Sequence, residues 1–328
     1  MFSLYNNSTY SINLNMKKIL IIGGAGYVGT LLSNYLIKRN YSVKCLDTFW
    51  FKTKLNKKII KIKTDIRERK FDSFKNIDVV INLAYLSNDP LCEINARDTW
   101  EIGPLSNYYI LEACLKHKVK KYIFASSGSI YGLKKERNVT ENLGLDPITD
   151  YNKSKMICEK VILSYKDKIK TVILRPATVC GFSERLRLDV VLNIFSHQAF
   201  FDNKITIFGG NQVRPLLHIK DMIHAYEFFI QKNHAGIFNV GFENIKISDI
   251  AKEVQKIIPC KLTTLKSSDP RSYRMNSDKL LKIGFKPKYN FKDAINDLND
   301  KFKNGFIPTE DNWNLKWLLK KKIIKKSA

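Results

Sequence analysis

The chain has 328 residues, enough for one large α/β domain or for a large domain with a smaller one attached. Its 44% hydrophobic and 12% aromatic residues exclude a disordered chain, and its apolar runs fall short of the roughly 20 residues that a membrane span needs. The net charge of +25 comes from lysines spread along the whole sequence, which favours a solvated basic surface over an anionic partner or substrate.

The two ends of the chain differ in composition from the part between them. Residues 1–15 are polar and lack the basic start and apolar centre of a signal peptide, so we expect either a disordered leader or a start assigned too early. Residues 311–328 are predicted to form a basic tail. The cysteines show no CxxC pair, which indicates buried thiols in a reducing cytoplasm and no metal site: Cys45, Cys92, Cys114, Cys158, Cys180 and Cys260.

Short β-branched runs alternate with amphipathic stretches from Met16 to about Ala125. Helices are predicted over Tyr27–Lys38, around Leu105–Lys116 and over Tyr151–Tyr165, and a further buried strand is predicted in IKTVILRPATVCG. Continuous apolar strands between such helices are typical of a parallel sheet covered on both faces. Residues 16–181 are therefore predicted to form most of the first domain, and the less regular residues 182–310 most of a smaller α/β part that interleaves with it.

A glycine-rich loop joins the first strand to the first helix. In ILIIGGAGYVGTLL, Gly23, Gly26 and Gly29 provide a tight turn and a close backbone approach, and Tyr27 and Val28 open the helix. The free N–H groups and dipole of a helix N-terminus bind a pyrophosphate well. The loop predicts a Rossmann-type doubly wound fold that binds a dinucleotide.

The ends of the next three strands carry candidate cofactor contacts. Asp47 follows the glycine loop by about twenty residues, where a carboxylate accepts hydrogen bonds from the adenosine ribose and repels a 2′-phosphate. NAD(H) is thereby favoured over NADP(H), with a turn-forming aspartate as the alternative. Asp65 follows the third strand, where it can face the adenine, and Ala84 at the end of the fourth strand is small enough to let the cofactor approach.

Tyr151 and Lys155 lie four residues apart in DYNKSKMICEK, on one face of a predicted helix. A nearby ammonium lowers the pKa of a phenol, and such a tyrosine can act as general base or acid. Ser127, in the turn FASSGSIYG after the fifth strand, can hold the same substrate oxygen. This combination predicts a hydride-transfer site opposite a nicotinamide.

In this order along the chain, these motifs resemble the extended short-chain dehydrogenase/reductase family, in particular its nucleotide-sugar epimerases and dehydratases, from Met16 to about Ile295. The resemblance implies that Ser127 holds the sugar oxygen, Tyr151 is the acid/base, and Lys155 binds the nicotinamide ribose. The implied cofactor contacts are Gly23, Gly26, Tyr27, Val28, Gly29, Asp47, Asp65, Ile66, Leu83, Ala84, Tyr85, Ser126, Tyr151, Lys155 and Pro176. The implied contacts of a nucleotide-diphosphate sugar are Ser87, Ser127, Thr178, Arg185, Arg187, Arg214 and Arg271.

The chain departs from the family pattern at two places, of which the first concerns local helix support and the second narrows the expected activity. Gly103 stands where the family commonly has an asparagine, and the serine turn lacks the Thr-Asp-Glu run with which dehydratases expel water. We therefore expect an NAD-dependent epimerase acting at carbon 4, with an NAD(P)H-dependent 4-keto-sugar reductase as the alternative. A 4,6-dehydratase or a non-catalytic regulator is less expected than either.

The resemblance also implies a homodimer, formed by two helices of each subunit. The helix after Tyr151 is one candidate for this contact, through Met156, Ile157, Val161 and Ile162, which the core can also accommodate. No nucleic-acid recognition motif accompanies the positive charge, so neither nucleic acid nor a membrane is expected as a partner.

Overall fold

Strands and helices alternate along the chain as the sequence predicts. The structure, a computed structural model, describes residues 16–87, 89–136, 138–267 and 272–323. The strands are β1 (Lys18–Ile22), β2 (Ser42–Asp47), β3 (Ile60–Lys63), β4 (Val79–Asn82), β5 (Lys121–Ala125), β6 (Lys170–Pro176), β7 (Thr178–Cys180), β8 (Lys204–Phe208), β9 (Val213–His218), β10 (Gly236–Val240), β11 (Glu243–Lys246) and β12 (Lys261–Leu265). The helices are α1 (Tyr27–Lys38), α2 (Asp89–Ile94), α3 (Ala96–Trp100), α4 (Ser106–Lys116), α5 (Asp150–Leu163), α6 (Val191–Asp202), α7 (Ile219–Gln231), α8 (Ile247–Ile257), α9 (Asp278–Lys282), α10 (Phe291–Lys303) and α11 (Asn314–Lys320).

A seven-stranded sheet of order β10-β6-β5-β4-β1-β2-β3 forms the centre of the molecule, and all its neighbouring strands are parallel. The side chains of β1 show why the strands of this sheet are continuously apolar. Ile19 and Ile21 pack into the core on one face, Leu20 and Ile22 pack into the core on the other, and all four are fully buried. The predicted doubly wound α/β fold is confirmed.

A smaller part is built mainly from the second half of the chain. It contains the three-stranded sheet β11-β9-β7 and the pair β12-β8. A third core lies among α6, α8 and α10, with Leu192, Ile250 and Leu298 fully buried. Because β10 leaves this region and pairs with β6 in the main sheet, the chain passes back and forth between the two parts.

Three element boundaries differ from the sequence prediction. The single strand predicted in IKTVILRPATVCG divides at Ala177, since β6 belongs to the main sheet and β7 to the small one. The helix at Tyr151 begins one residue earlier and ends at Leu163. A π-helical turn, Glu101–Leu105, precedes α4, and it contains Pro104, which has no N–H to donate to a helical hydrogen bond.

The segment after residue 310, expected from its charge to be a basic tail, contains a helix packed on the body. Leu318 of α11 is 2% exposed within the core on one face of the main sheet. Trp317 donates its indole N–H to the carbonyl oxygen of Trp50 (3.3 Å), and the Asn314 N–H donates to Asp189 (2.7 Å). Burial of the apolar residues of WNLKWLL holds this helix on the body, although lysines follow it. Along the described ranges, no helix is both long enough and apolar enough to cross a bilayer.

Leu318 and Leu319 provide a matched test of this packing. Leu318→Ala is expected to lower the free energy of unfolding by about 2 to 5 kcal/mol, because it leaves a cavity in the core. Leu319→Ala, at a side chain 36% exposed, is expected to change it by less than about 1 kcal/mol. Urea unfolding followed by circular dichroism measures both, and equal effects of the two changes would contradict the packing of α11.

Candidate active site

A cavity of about 600 Å³ opens at the edge of the main sheet where its parallel strands end. Ligands of open α/β sheets bind at this edge. The predicted cofactor residues that line it are Gly23, Gly26, Tyr27, Val28, Gly29, Asp47, Asp65, Ile66, Leu83, Ala84, Tyr85, Ser126, Tyr151, Lys155 and Pro176. The predicted substrate residues that line it are Ser87, Ser127, Thr178, Arg185, Arg187 and Arg214, whereas Arg271 lies outside the described residues.

The glycine loop lies so close to its neighbours that side chains are excluded from it. A Cβ on Gly23, whose φ is +77°, would lie 2.6 Å from the backbone nitrogen of Ala84, and one on Gly29 would lie 2.3 Å from the carbonyl oxygen of Gly23. Gly26 is the N-cap of α1 and supplies no capping side chain. The N-terminus of α1 therefore faces the cavity with its N–H groups available to an anion, which fits the pyrophosphate of a dinucleotide.

Three predicted cofactor side chains already have protein partners. The phenol of Tyr27 is buried and donates to the carbonyl oxygen of Gly181 (2.6 Å), so Tyr27 offers its backbone to the cavity. Asp47 accepts hydrogen bonds from the N–H groups of Ala25 (2.9 Å) and Phe49 (2.8 Å). Burial raises the pKa of Asp47, and these two N–H groups oppose that rise.

Asp65 forms an ion pair with Arg67, with 2.7 Å between guanidinium and carboxylate. Burial raises the pKa of Asp65, but the hydrogen bonds from Arg67 outweigh burial and hold it below its ordinary value. The carboxylate is ionised at neutral pH and borders the cavity.

In the serine turn, the Ser126 hydroxyl supports the fold beneath the site, whereas the Ser127 hydroxyl belongs to the catalytic group. Ser126 donates to Glu159 (2.5 Å), which forms a buried ion pair with Arg175 (2.6 Å). The Ser126 hydroxyl, predicted on the cofactor side, is therefore part of the floor beneath the site. Ser127 shares a hydrogen bond with Ser129, with 2.7 Å between the two hydroxyl oxygens, and a further hydrogen bond links it to Tyr151.

Tyr151 and Lys155 project from the first turns of α5, which Thr149 caps by accepting a hydrogen bond from the Asn152 N–H. Lys155 is 3% exposed and donates to the carbonyl oxygen of Ala125 (2.6 Å), and burial lowers its pKa to about 8. Burial raises the pKa of Tyr151, against a smaller lowering effect of its hydrogen bond with Ser127. The expected lowering by the ammonium is wrong for the free site, because the Lys155 nitrogen lies 5.9 Å from the Tyr151 ring centre and desolvation dominates.

Tyr85 holds the ammonium of Lys155 from the other side. The Lys155 nitrogen lies 3.6 Å from the centre of the Tyr85 ring, within the range of a cation–π interaction. The Tyr85 hydroxyl hydrogen-bonds with Ser154 (2.5 Å), and its ring packs edge-on against Tyr151 at 5.6 Å between centroids. The sequence indicated Tyr85 only as a cofactor contact. Its packing against Lys155 depends on contacts between the segment after β4 and helix α5, which are far apart in the chain.

Gly103 makes room for this tyrosine. A Cβ at position 103 would lie 2.5 Å from the Tyr85 hydroxyl oxygen. The glycine that departs from the family pattern is thus matched by a bulky side chain at position 85.

The three predicted substrate arginines that the structure describes take different positions around the cavity. Arg185 is 2% exposed and donates to the Asn314 side chain (2.6 Å), whereas Arg187 donates to the carbonyl oxygen of Ser87 (2.9 Å). Arg214 lines the cavity from β9 of the small sheet. Arginine suits phosphate binding because its planar fork forms two parallel hydrogen bonds.

Sequence reasoning missed several residues that line the cavity. Asn314 and Leu318 come from α11, and Trp50 and Phe51 come from the turn after β2. No spacing rule points to them, since they meet the glycine loop only through the tertiary fold. Across the part of the chain that the structure describes, no cluster of three or more His, Cys, Asp or Glu side chains is arranged to hold a metal ion.

Residues 19–241 match the sequence model of the NAD dependent epimerase/dehydratase family. The chain belongs to this family. It is an enzyme of the extended short-chain dehydrogenase/reductase type, and its cofactor is NAD. The open N-terminus of α1 and the carboxylate of Asp47 fit this cofactor.

Two relatives and one solved structure illustrate the range of the family. The chain is 29% identical to the UDP-glucose 4-epimerase of Lactobacillus helveticus, over 85% of this chain and 94% of that one. It is 26% identical to the human dTDP-D-glucose 4,6-dehydratase, over 88% of this chain and 91% of that one. The UDP-glucuronic acid 4-epimerase of Bacillus cereus, solved with UDP-glucuronic acid and NAD, superimposes with a TM-score of 0.79 at 27% identity, over 88% of this chain and 100% of that one.

The pairing of Gly103 with Tyr85 can be tested by a double-mutant cycle. Gly103→Ala is expected to cost about 1 to 3 kcal/mol of stability through overpacking, and it should cost less in a Tyr85→Phe background, where the clashing hydroxyl is gone. Chemical denaturation of the four proteins measures the coupling. Equal costs of Gly103→Ala in both backgrounds would show that the two positions do not compete for space.

Proposed function

We propose that this enzyme inverts carbon 4 of a nucleotide-diphosphate sugar, with NAD retained between turnovers. The observation that carries the proposal is that Ser127, Tyr151 and Lys155 border the same cavity as the open N-terminus of α1. A proton-transfer group and a dinucleotide site thus face one cavity. The epimerase names of several relatives, such as that of Lactobacillus helveticus, support the assignment.

The chain's own residues supply the acid–base part of the reaction. When bound, oxidised NAD supplies a hydride acceptor and a positive charge that favours the phenolate of Tyr151. Tyr151 accepts the proton of the sugar 4-hydroxyl while Ser127 fixes the position of that oxygen, and the proton returns from Tyr151 when the carbon is reduced again. Inversion requires the keto sugar to present its other face before the reduction.

The serine turn argues against dehydration. Elimination of water needs an acid and a base next to the reacting carbons, and the turn holds Gly128 and Ser129 after Ser127. Neither residue is acidic, and a Cβ at position 128 would lie 2.2 Å from the methyl carbon of Met275, so a larger residue there would require Met275 to move. The hydroxyl of Ser129 donates to the Asn152 side chain (2.5 Å) and supports the turn.

The arginines on the substrate side suit a diphosphate. Arg187 donates to the carbonyl oxygen of Ser87 in the segment after β4, and Arg214 borders the cavity from β9. We assign the diphosphate of the sugar nucleotide to these two side chains and to Arg271. A uridine nucleotide is the first choice, because the epimerases described above act on UDP-sugars.

A 4-keto-sugar reductase would use the same three residues, so the two activities differ in how they use the cofactor. An epimerase restores its NAD in each turnover, whereas a reductase consumes free NADH or NADPH.

We also propose that the enzyme is a cytoplasmic homodimer. Its cysteines are all free thiols, as a reducing compartment allows. Trp100 ends α3, Leu105 ends the π-helical turn and Tyr108 lies in α4, and these side chains are 39%, 42% and 45% exposed. Exposed apolar side chains grouped in this way are typical of an interface. The lysine charge is dispersed, so nucleic acid is not proposed as a partner.

The catalytic assignment is tested with UDP-glucose, UDP-N-acetylglucosamine and UDP-glucuronic acid and no added cofactor. The purified protein should convert at least one of them into its 4-epimer, measured by proton NMR. Tyr151→Phe is expected to lower kcat by about 10²- to 10⁴-fold, because the general acid/base is lost. Ser127→Ala should also lower kcat, and both variants should retain NAD.

Two results would overturn the assignment. One is full activity of Ser127→Ala or Tyr151→Phe. The other is conversion of a 4-keto sugar that consumes NADPH stoichiometrically by a protein purified without bound cofactor.

The proposed dimer can be tested separately by sedimentation. The wild-type protein should sediment at twice its 38.0 kDa chain mass, and Leu105→Asp should sediment as a monomer. Leu133→Asp is the control, since Leu133 is 45% exposed at another surface and should leave the dimer intact. Monomeric wild-type protein at micromolar concentration would contradict the proposal.

A further inference from the structure

A short strap, residues 183–189, lines the cavity through Arg185, Arg187 and Asp189 and is hydrogen-bonded to the body at both ends. The hydroxyl of Ser183 donates to the carbonyl oxygen of Tyr27 in the glycine loop (2.8 Å). The N–H of Leu188 donates to the carbonyl oxygen of Asn312 (2.8 Å), and Asp189 accepts from the Asn314 N–H (2.7 Å). The strap thereby joins the glycine loop to the C-terminal segment that begins near residue 310.

Arg185 projects from this strap into a buried position without an acidic partner. Its side chain is held by the Asn314 side chain (2.6 Å), by the Leu186 carbonyl oxygen (3.0 Å) and by the face of Phe51, whose ring centre lies 3.8 Å from the guanidinium carbon. Its Nε atom is buried and has no hydrogen-bond partner. Within the described ranges, no carboxylate forms an ion pair with it.

A buried cation whose hydrogen bonds all go to neutral groups is unfavourable in the free protein. The carboxylates of Asp311, Asp189 and Asp47 act on Arg185 without forming an ion pair with it. Burial and the neighbouring Arg187 lower the pKa of Arg185 to about 10, so the group is still a cation at neutral pH. An anionic ligand in the cavity would supply the missing partner, and the unbonded Nε–H would be one of its donors.

The neighbours of Arg185 indicate which anion this is. Phe51 belongs to the turn directly after Asp47, and Arg185 is close enough to Asp47 to affect its pKa. These residues border the dinucleotide end of the cavity, around the N-terminus of α1. Arg187 instead donates to the carbonyl oxygen of Ser87, a predicted contact of the sugar nucleotide in the segment after β4. Its charge favours a lower pKa of both Tyr151 and Tyr27.

We propose that Arg185, held by Asn314 of α11, binds the pyrophosphate of NAD. The strap then covers the bound cofactor. The sequence expectation that Arg185 contacts the sugar nucleotide is replaced by this assignment. Arg185 and Arg187, two residues apart on one extended strap, thus serve the two different diphosphates. Release of NAD then requires the strap or α11 to move, which keeps the cofactor on the enzyme.

The test measures binding of each ligand separately and does not depend on turnover. Arg185→Met and Arg187→Met are compared in calorimetric titrations with NAD, NADP and UDP after removal of retained cofactor. Arg185→Met should weaken NAD binding by about 10- to 100-fold and leave UDP binding unchanged. Arg187→Met should show the reverse pattern, because it lies at the sugar end.

Thermal unfolding provides a second measurement that separates a binding role from a structural one. Wild-type protein should gain stability on addition of saturating NAD, and that gain should shrink in Arg185→Met. Asn314→Ala, which removes the side-chain anchor while leaving Arg185 in place, should weaken NAD binding less and serves if Arg185→Met does not fold. Arg185→Lys keeps the charge without the fork and should fall between wild type and Arg185→Met.

Three outcomes would overturn the proposal. Weaker UDP binding with unchanged NAD binding in Arg185→Met would return this residue to the sugar nucleotide. A loss confined to NADP would place the guanidinium at the 2′-phosphate position. A lower Tm of the free Arg185→Met protein with an undiminished NAD-dependent gain would show a purely structural role. None of these outcomes depends on whether the enzyme proves to be an epimerase.

Discussion

The buried ammonium of Lys155 is the charge on which the catalytic end of the molecule depends. A cation taken out of water costs several kcal/mol unless its surroundings compensate for it. Here the compensation comes from the Ala125 carbonyl oxygen at 2.6 Å and from the ring of Tyr85 at 3.6 Å. Tyr85 in turn requires the space beside Gly103 and the hydrogen bond to Ser154. Among the described residues, no carboxylate forms an ion pair with Lys155, whose nitrogen lies 5.9 Å from the centre of the Tyr151 ring.

The parallel sheet places the two halves of the chemistry at one edge. The glycine loop after β1 offers an anion site, and the serine turn after β5 offers the substrate hydroxyl contact, so cofactor and substrate meet where both strands end. The smaller part and α11 then close this edge with residues that come from much later in the chain. A site covered in this way suits a reaction whose cofactor is reduced and then oxidised again within a single turnover.

Features that depend on local sequence could be predicted, and features that depend on distant contacts could not. The spacing of Gly23, Gly26 and Gly29 and the separation of Tyr151 from Lys155 are set by a single turn or a single helix, so the sequence was sufficient. The position of Arg185 depends on Asn314, and that of Ser126 depends on Glu159 and Arg175, which no periodicity relates. The pKa of Tyr151 could not be predicted because desolvation, which exceeds the effect of any neighbour, is a property of the folded site.

The fate of the hydrogen on carbon 4 tests the central claim most directly. A UDP-sugar that carries deuterium at carbon 4 is incubated with the purified enzyme in ordinary water, without added cofactor, and the product is analysed by mass spectrometry and NMR. The product is expected to be inverted and to keep its deuterium at carbon 4, because the same atom leaves and returns while the cofactor stays bound. Loss of deuterium to water, or its appearance in free reduced cofactor, would show that carbon 4 is not inverted through a retained cofactor.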